Sequence, residues 1–270
     1  MLTRIISGAI LILVVGGMFV LGNYLPITLA TFIALIATIG VYEILHNTGI
    51  IKKKIAVIGG CAFTFFNVFA LLSYTQKLWS GLDSIFFSVI YAVFVVAISL
   101  YYNKEFGLNS IAAALSFPLI ISYGFSTIAN LYFLENGIFY LLLLINFSSV
   151  CDTGAYFTGV LIGKHKLCPN ISPKKTIEGA VGGIVFSIIC SVILCVAFKK
   201  TDTIVPLCIA TIPFCIVGMF GDLFASVIKR SVGLKDYGRL IPGHGGILDR
   251  FDSILLIAPV LYLFVNGGIF

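Results

Sequence analysis

The chain has 270 residues, of which 60% are hydrophobic and only 10% are charged, and its formal net charge is +6. Soluble domains carry about 25% charged residues, so this composition excludes an ordinary soluble domain and predicts an all-α, polytopic integral membrane protein. The seven cysteines form no Cys-x-x-Cys pair, which argues against a disulfide framework or a zinc site. The bias of cytoplasmic loops explains the positive charge better than nucleic-acid binding does.

Nine apolar stretches approach the length of about 20 residues that a membrane helix needs. They cover approximately 4–23, 26–45, 55–74, 85–102, 110–133, 138–162, 176–198, 204–230 and 253–270. The first stretch resembles a signal peptide but lacks a clear cleavage site, so we interpret it as the first membrane helix. Asp152 and Gly154 interrupt the sixth stretch and predict a break or tilt there.

We expect a single membrane domain over 1–270, with 1–150 as a helical scaffold and 151–253 as the catalytic core. With nine helices, one side of the membrane carries 14 of the 17 Lys and Arg residues, and the other side carries Lys77, Lys199 and Lys200. The positive-inside rule then places the N-terminus and the polar connections in the cytoplasm and the C-terminus outside. We expect this membrane to be a bacterial cytoplasmic membrane.

Four acids, Glu43, Asp152, Glu178 and Asp222, lie in or at the edge of apolar stretches. A carboxylate at mid-membrane costs about 2.5–3.5 kcal/mol on insertion scales, so each must face a polar cavity, pair with a base or bind a cation. For Glu43, near a helix end, a pair between helices is the favoured interpretation. Asp222 differs because Ser226 and Lys229 follow at helical spacing, so a continuous helix places all three on one face.

The turn Pro242-Gly243-His244-Gly245-Gly246 cannot be a regular helix. Its glycines allow positive φ and a close approach of backbone N–H groups to an anion, and a helix is predicted to start at Leu248 or Asp249. The alternative is an ordinary tight turn before a helix. Asp249 and Asp252 can cap that helix or bind a hard cation such as Mg²⁺, and the two roles are compatible.

A second polar connection, residues 163–179, has similar ingredients. Ser172 and Pro173 predict a helix N-cap and first turn, which would place Lys174 and Lys175 where a bound anion meets the helix dipole. Lys164 and Lys166 serve equally well as phosphate contacts or as topological anchors. These residues alone predict a membrane enzyme that acts on phosphates with Mg²⁺, and the small aqueous portion suggests that one substrate is itself a lipid.

The polar stretch resembles the signature of the phosphatidate cytidylyltransferases. The resemblance rests on Ser226-Val-Ile-Lys229-Arg230, Lys235-Asp236 and Pro242-Gly-His244-Gly-Gly-Ile-Leu-Asp249-Arg250-Phe-Asp252. Upstream, Asp152-Thr-Gly-Ala-Tyr156, Gly163-Lys164 and Ser172-Pro-Lys-Lys175-Thr176-Ile-Glu178-Gly179 look similar as well, as does Gly221-Asp222, and together these elements cover about 150–253.

The resemblance implies that CTP and phosphatidic acid form CDP-diacylglycerol and pyrophosphate at the lipid bilayer. Implied catalytic residues are Asp222, Asp249, Lys229, Arg230 and His244, and implied metal ligands are Asp222, Asp249, Ser226 and Asp252. Implied substrate-binding residues are Lys174, Lys175, Ser172, Lys235, Asp236, Gly245, Gly246, Arg250 and Asp152. Asp152 could instead hold a second cation beside the Mg²⁺.

Two other functions fit parts of the pattern. A CTP-dependent lipid-alcohol kinase would transfer the γ-phosphoryl group and release CDP. An ion-coupled transporter would also carry intramembrane acids, although its site would lie near the midplane between repeats. Gly159-xxx-Gly163 and Gly179-xxx-Gly183 permit close helix contacts, either within one chain or between two chains of a homodimer.

Overall fold

A computed structural model describes residues 2–76 and 83–268. The helices before the hairpin are α1 (Leu2–Tyr24), α2 (Pro26–Tyr42), α3 (Lys54–Gln76), α4 (Ser84–Tyr101), α5 (Leu108–Phe133), α6 (Gly137–Ile145) and α7 (Cys151–Ile162). A hairpin of β1 (Lys166–Cys168) and β2 (Ser172–Thr176) precedes α8 (Ile177–Ala197), α9 (Ile204–Ser231), α10 (Leu248–Phe251) and α11 (Ile254–Asn266). π-Helical turns at Glu43–Asn47 and Asn146–Val150 and a 3-10 turn at Thr201–Thr203 complete the elements.

The mostly helical membrane fold is confirmed. Among the described residues, eight helices, counting α6 and α7 as one span, are long and apolar enough to cross a membrane. The ninth predicted stretch, 253–270, contains only the 13-residue α11, and residues 269–270 lie outside the described part. At 1.5 Å per residue α11 is about 20 Å long, shorter than the hydrocarbon core of a bilayer. Lys77, used in the charge count, also lies outside the described residues.

Large apolar side chains on the helix surfaces remain exposed, among them Leu13, Leu100 and Leu161, each more than 70% exposed. In water such surfaces would be unfavourable, whereas lipid is a suitable solvent for them. The protein is therefore an integral membrane protein with several apolar helices.

The chain forms two compact units. The first comprises Met1–Asn130 and Ser231–Phe251, and the second comprises Leu131–Arg230 and Asp252–Phe270. The predicted division into a scaffold before residue 150 and a catalytic core after it concerns roles, and it stays a prediction.

In the first unit, the interior is built from α2, α3, α4 and α5. Tyr91 of α4 stacks on Phe63 with ring centroids 4.3 Å apart, and its hydroxyl donates to the Ala114 carbonyl at 2.7 Å. The short helix α10 packs against this core, because Leu248 lies 3.8 Å from where a Cβ on Gly40 would stand and Phe251 meets the Phe125 ring.

In the second unit, α7 and α8 pack closely through small residues. A Cβ on Gly183 would stand 2.5 Å from the Cys151 carbonyl oxygen, and one on Gly179 would stand 2.7 Å from that of Ala155. Gly179 and Gly183 thus serve a contact within the chain, and the homodimer stays a prediction.

The irregularity in the sixth span lies upstream of its predicted position. Asp152 and Gly154 belong to regular helix α7, while the π-helical turn covers Asn146–Val150. The Asn146 amide donates to the Ser187 carbonyl at 3.0 Å and to the Ser191 hydroxyl at 2.9 Å. An inserted polar residue with partners on α8 explains the turn, since π-bulges place one extra residue in a helix.

Candidate active site

Helix α9 carries the predicted polar face of the second unit. It is continuous over Ile204–Ser231, so Asp222, Ser226 and Lys229 share one face, as predicted. Gly221 permits the chain after α10 to approach this helix, because a Cβ there would stand 2.8 Å from the Asp252 carbonyl oxygen. Asp252 is thereby placed beside the helix that carries Asp222.

Lys175 joins the connection at 163–179 to this face. Its ammonium group forms an ion pair with the Asp222 carboxylate, and both side chains are about one-quarter exposed. Burial lowers the pKa of Lys175, but the carboxylates of Asp222, Asp152 and Asp252 have the larger combined effect. The pKa is therefore raised, and the positive charge of Lys175 is stabilised. The contact links the connection at 163–179 to the polar face of α9.

The local structure around Lys175 differs from the prediction. Ser172 is not an N-cap and Pro173 is not in a first helical turn, because Ser172–Thr176 forms strand β2, paired antiparallel with β1. The N-cap is Thr176, whose hydroxyl accepts the Gly179 N–H. Lys174 and Lys175 therefore precede the helix on an extended strand, where adjacent side chains point in opposite directions. Lys174 is exposed while Lys175 is half-buried.

Asp252 lies in a cluster of like charges. The pKa of Asp252 is raised to about 7, first by burial and then by the neighbouring Asp222 carboxylate, and Lys229 partly offsets both effects. One Asp252 oxygen accepts the Ser253 N–H at 2.8 Å. Asp222 and Asp252 therefore repel each other in their ionised forms, and a cation between or beside them would relieve that repulsion.

In the first unit, the glycine turn is built as a small hairpin. The Ile241 N–H donates to the Gly245 carbonyl and the His244 N–H to that of Ile241, both at 2.9 Å. The predicted positive φ is confirmed at Gly243 (78°) and Gly245 (88°). Both the turn interpretation and the glycine requirement hold, because L-residues with a side chain rarely adopt this φ.

Two buried carboxylates occupy the backbone amides that follow the turn. Asp249 accepts the N–H groups of Tyr237 (2.8 Å) and Gly246 (3.0 Å) through the same oxygen. Glu43 accepts the N–H groups of Ile247 (3.0 Å) and Leu248 (2.9 Å).

These contacts refine two expectations. Glu43 does contact another helix, but its partners are the backbone N–H groups of Ile247 and Leu248 at the start of α10 and not a side chain. The amides expected to form an anion site at the start of that helix are committed to carboxylates of the chain itself. Phosphate contacts from this segment would therefore come from side chains.

His244 is oriented by the N-terminal helix. The Ser7 hydroxyl donates to the Pro242 carbonyl at 3.0 Å and lies 2.9 Å from His244 Nδ1. Which atom donates in this second contact depends on the His244 tautomer. The contact holds the ring through Nδ1 and does not involve Nε2.

The remaining predicted contact residues are mainly exposed. This holds for Asp152, Arg230, Lys235, Asp236 and Arg250, whereas Ser226 and Gly245 are intermediate and Gly246 is buried. The charge of Asp152 nevertheless raises the pKa of Lys175 and that of Asp252. The predicted substrate-binding and metal roles of all these residues stay predictions.

Sequence reasoning missed the part that three residues play in holding the glycine turn. Glu43 was visible as an acid in an apolar stretch, but its partner is more than 200 residues away along the chain. Ser7 and Asn47, whose amide donates to the Tyr237 carbonyl at 2.7 Å, carried no signal. Glu178 was noted, and it accepts the Lys164 and His165 N–H groups and contacts His165 Nδ1 at 2.6 Å.

The donor chemistry of the second unit fits a hard cation. Asp222 and Asp252 offer carboxylate oxygens, which Mg²⁺ prefers, and Mg²⁺ is commonly held by one or two carboxylates together with substrate phosphates. Within 2–76 and 83–268, no three Asp, Glu, His or Cys side chains converge as a complete set of metal ligands.

The fold and these charged sites define an integral membrane protein with lysines and carboxylates gathered at the ends of its helices. The sequence profile of the cytidylyltransferase family matches residues 2–267, and the chain belongs to that family.

Curated relatives carry a more specific name. Proteins named phosphatidate cytidylyltransferase from Staphylococcus haemolyticus and Staphylococcus aureus are 43% and 41% identical over 145 residues, 53% of this chain and 56% of each relative. One from Bacillus subtilis is 46% identical over 111 residues, 41% of both chains. The chain thus matches about half the length of these relatives.

Proposed function

We propose that this protein is a phosphatidate cytidylyltransferase. A phosphate oxygen of phosphatidic acid attacks the α-phosphorus of CTP, the bond between the α-phosphorus and its bridging oxygen breaks, and pyrophosphate leaves. The ion pair of Lys175 with Asp222, beside Asp252, is the observation that carries the proposal. Membership of the family and the names of the relatives support it.

The charged side chains would do the work by positioning and charge neutralisation, since the lipid phosphate is already ionised near neutral pH. Lys175 and Lys229, together with the exposed Lys174, would hold phosphate oxygens. In the first unit, His244 Nε2, Lys235 and Arg250 are proposed phosphate contacts. None of these residues needs to become covalently modified.

Asp222 and Asp252, with Ser226, are proposed to hold Mg²⁺. A bound Mg²⁺ would supply Lewis-acid stabilisation of the negative charge on the phosphates. Asp249 remains a proposed ligand as well, although one of its oxygens already accepts two backbone N–H groups. A second cation near Asp152 belongs to the same proposal.

The test is pyrophosphate release by the purified protein in mixed micelles. We expect release that requires CTP, phosphatidic acid and Mg²⁺ together, with a nucleotide-linked lipid as the second product. Release of CDP without pyrophosphate would instead establish a lipid-alcohol kinase. Ion-coupled flux in vesicles, with no nucleotide-linked lipid formed, would establish a transporter.

We also propose that the polar connections face the cytoplasm, on the basis of the 14 to 3 distribution of Lys and Arg. After replacement of the seven native cysteines, a membrane-impermeant maleimide applied to intact cells should label Lys200→Cys and spare Lys104→Cys. The reverse pattern would invert the proposed orientation.

A further inference from the structure

Glu43 is a buried acid that the proposed chemistry does not use. It lies in the π-helical turn after α2 and is only 3% exposed. Its two oxygens accept one N–H each, Oε1 from Ile247 and Oε2 from Leu248. The carboxylate therefore satisfies two neighbouring amides at the N-terminal end of α10, where backbone N–H groups have no helical acceptor.

Two glycines form the cradle around this carboxylate. A Cβ on Gly238 would stand 2.4 Å from Glu43 Oε1, and one on Gly246 would stand 2.5 Å from Oε2. Neither glycine has a positive φ, so conformational freedom does not explain why glycine stands at these two positions. A methyl group at either position would displace the Glu43 carboxylate, which occupies the space that the methyl group would need.

The same segment is held at its other end. Asn47, in the same π-helical turn as Glu43, donates to the Tyr237 carbonyl, and Asp249 accepts the Tyr237 N–H. Glu43, Asn47 and Asp249 thus fix residues 237–248 at both ends. His244 lies within that interval, and Lys235 and Arg250 lie just beyond it. The contacts of Glu43, Asn47 and Asp249, which we call the clamp, therefore fix the backbone from which these side chains extend.

We propose that Glu43 is a positioning residue for cytidylyl transfer, which acts by clamping the glycine turn that carries His244. The inference rests on the proposed function. Removing the carboxylate leaves two buried N–H groups without an acceptor, and the turn then shifts to find other partners. A misplacement of about 1 Å at a reacting group can lower the rate about 100-fold.

The first test is Glu43→Gln, which keeps the size of the side chain but offers only one acceptor oxygen. We expect kcat to fall about 10- to 100-fold while KM for CTP changes little and the protein still melts cooperatively in detergent. Glu105→Gln is the matched control, because Glu105 is an exposed acid of the same unit, paired with Lys53. That control should retain wild-type kcat.

A double-mutant cycle shows whether the effect passes through the cradle. Gly238→Ala should lower kcat in the wild-type background, because the new methyl group displaces the carboxylate. In a Glu43→Ala background the same change should have much less effect. Sodium formate should restore part of the activity of Glu43→Ala, whereas sodium chloride at equal ionic strength should not.

Hydrogen exchange separates this inference from the proposed function. In Glu43→Gln without substrate, the amides of 246–248 should exchange faster than in the wild type, whatever the reaction is. If the wild type releases no pyrophosphate, the proposed function fails while the clamp remains measurable. Wild-type kcat in Glu43→Gln, or equal effects of Gly238→Ala in both backgrounds, would overturn the positioning role.

Discussion

Carboxylates in the two units of this protein meet different partners. In the first unit, Glu43 and Asp249 are buried and accept backbone N–H groups around the glycine turn. In the second unit, Asp222 and Asp252 are partly exposed, and their neighbours are Lys175, Lys229 and each other. The first pair accepts backbone N–H groups, whereas the second pair lies among charged side chains.

The carboxylates of the first unit organise the backbone, whereas those of the second unit can respond to charged ligands. Hydrogen bonds from amides weaken when their distance or angle changes, so the first pair suits a clamp. Charges that are only partly compensated respond to an added cation or phosphate, so the second pair suits substrate and metal binding. Single substitutions that remove charge but keep shape test whether the two pairs of carboxylates differ in this way.

The largest effect is expected for Asp222→Asn. Loss of this charge removes the partner of Lys175 and the proposed ligand of Mg²⁺, and removal of one electrostatic group at a reacting centre costs about 10²–10³ in kcat. We expect pyrophosphate release to fall by at least that factor, with the protein folded in detergent. Activity near the wild-type value at every Mg²⁺ concentration would remove Asp222 from the site.

Asp249→Asn tests whether the first unit only organises the turn. We expect activity to be lost here too, by about 100-fold, because Asp249 remains a proposed metal ligand. The new carbonyl oxygen can still accept the Tyr237 and Gly246 N–H groups, so hydrogen exchange of the turn should change little. Near-normal activity with an unchanged turn would restrict Asp249 to a structural role.

Lys175→Met should have an intermediate effect. The substitution keeps the apolar stem and removes the ammonium group that contacts Asp222. We expect KM for CTP to rise about 10-fold, since a hydrogen bond to a charged group is worth about 1.5–3 kcal/mol. Lys174→Met, on the adjacent exposed position, is the comparison, and a larger effect there would reverse the proposed roles of the two lysines.

The smallest effect is expected for Glu178→Gln, which removes a partly exposed acid that also accepts backbone N–H groups. Its bonds reach only 13 and 14 residues along the chain, and water can replace them. We expect kcat within about three-fold of the wild type, because exposed ion pairs contribute little. Lys53→Ala, which breaks an exposed pair with Glu105, should match it. A loss as large as that of Glu43→Gln would show that exposure does not distinguish the two acids.

Much of the fold was predictable because the length of an apolar stretch is a strong signal for a membrane helix. Every predicted span overlaps an observed helix, and only the last is much shorter than predicted. The errors are local. The sequence placed the helix break at Asp152 and Gly154, but the π-helical turn depends on Asn146 finding Ser187 and Ser191 on another helix. It placed an N-cap at Ser172, but pairing with β1 extends the chain to Thr176.

By itself, the sequence determined that this is a helical membrane protein with its charges gathered in two polar connections, because lipid tolerates few other arrangements. Helical spacing also determined that Asp222, Ser226 and Lys229 share a face. Only the tertiary structure decided that Lys175 pairs with Asp222 and that Glu43 holds the amides of Ile247 and Leu248. Periodicity describes one element at a time, whereas a hydrogen bond across 204 residues exists only once the elements have packed.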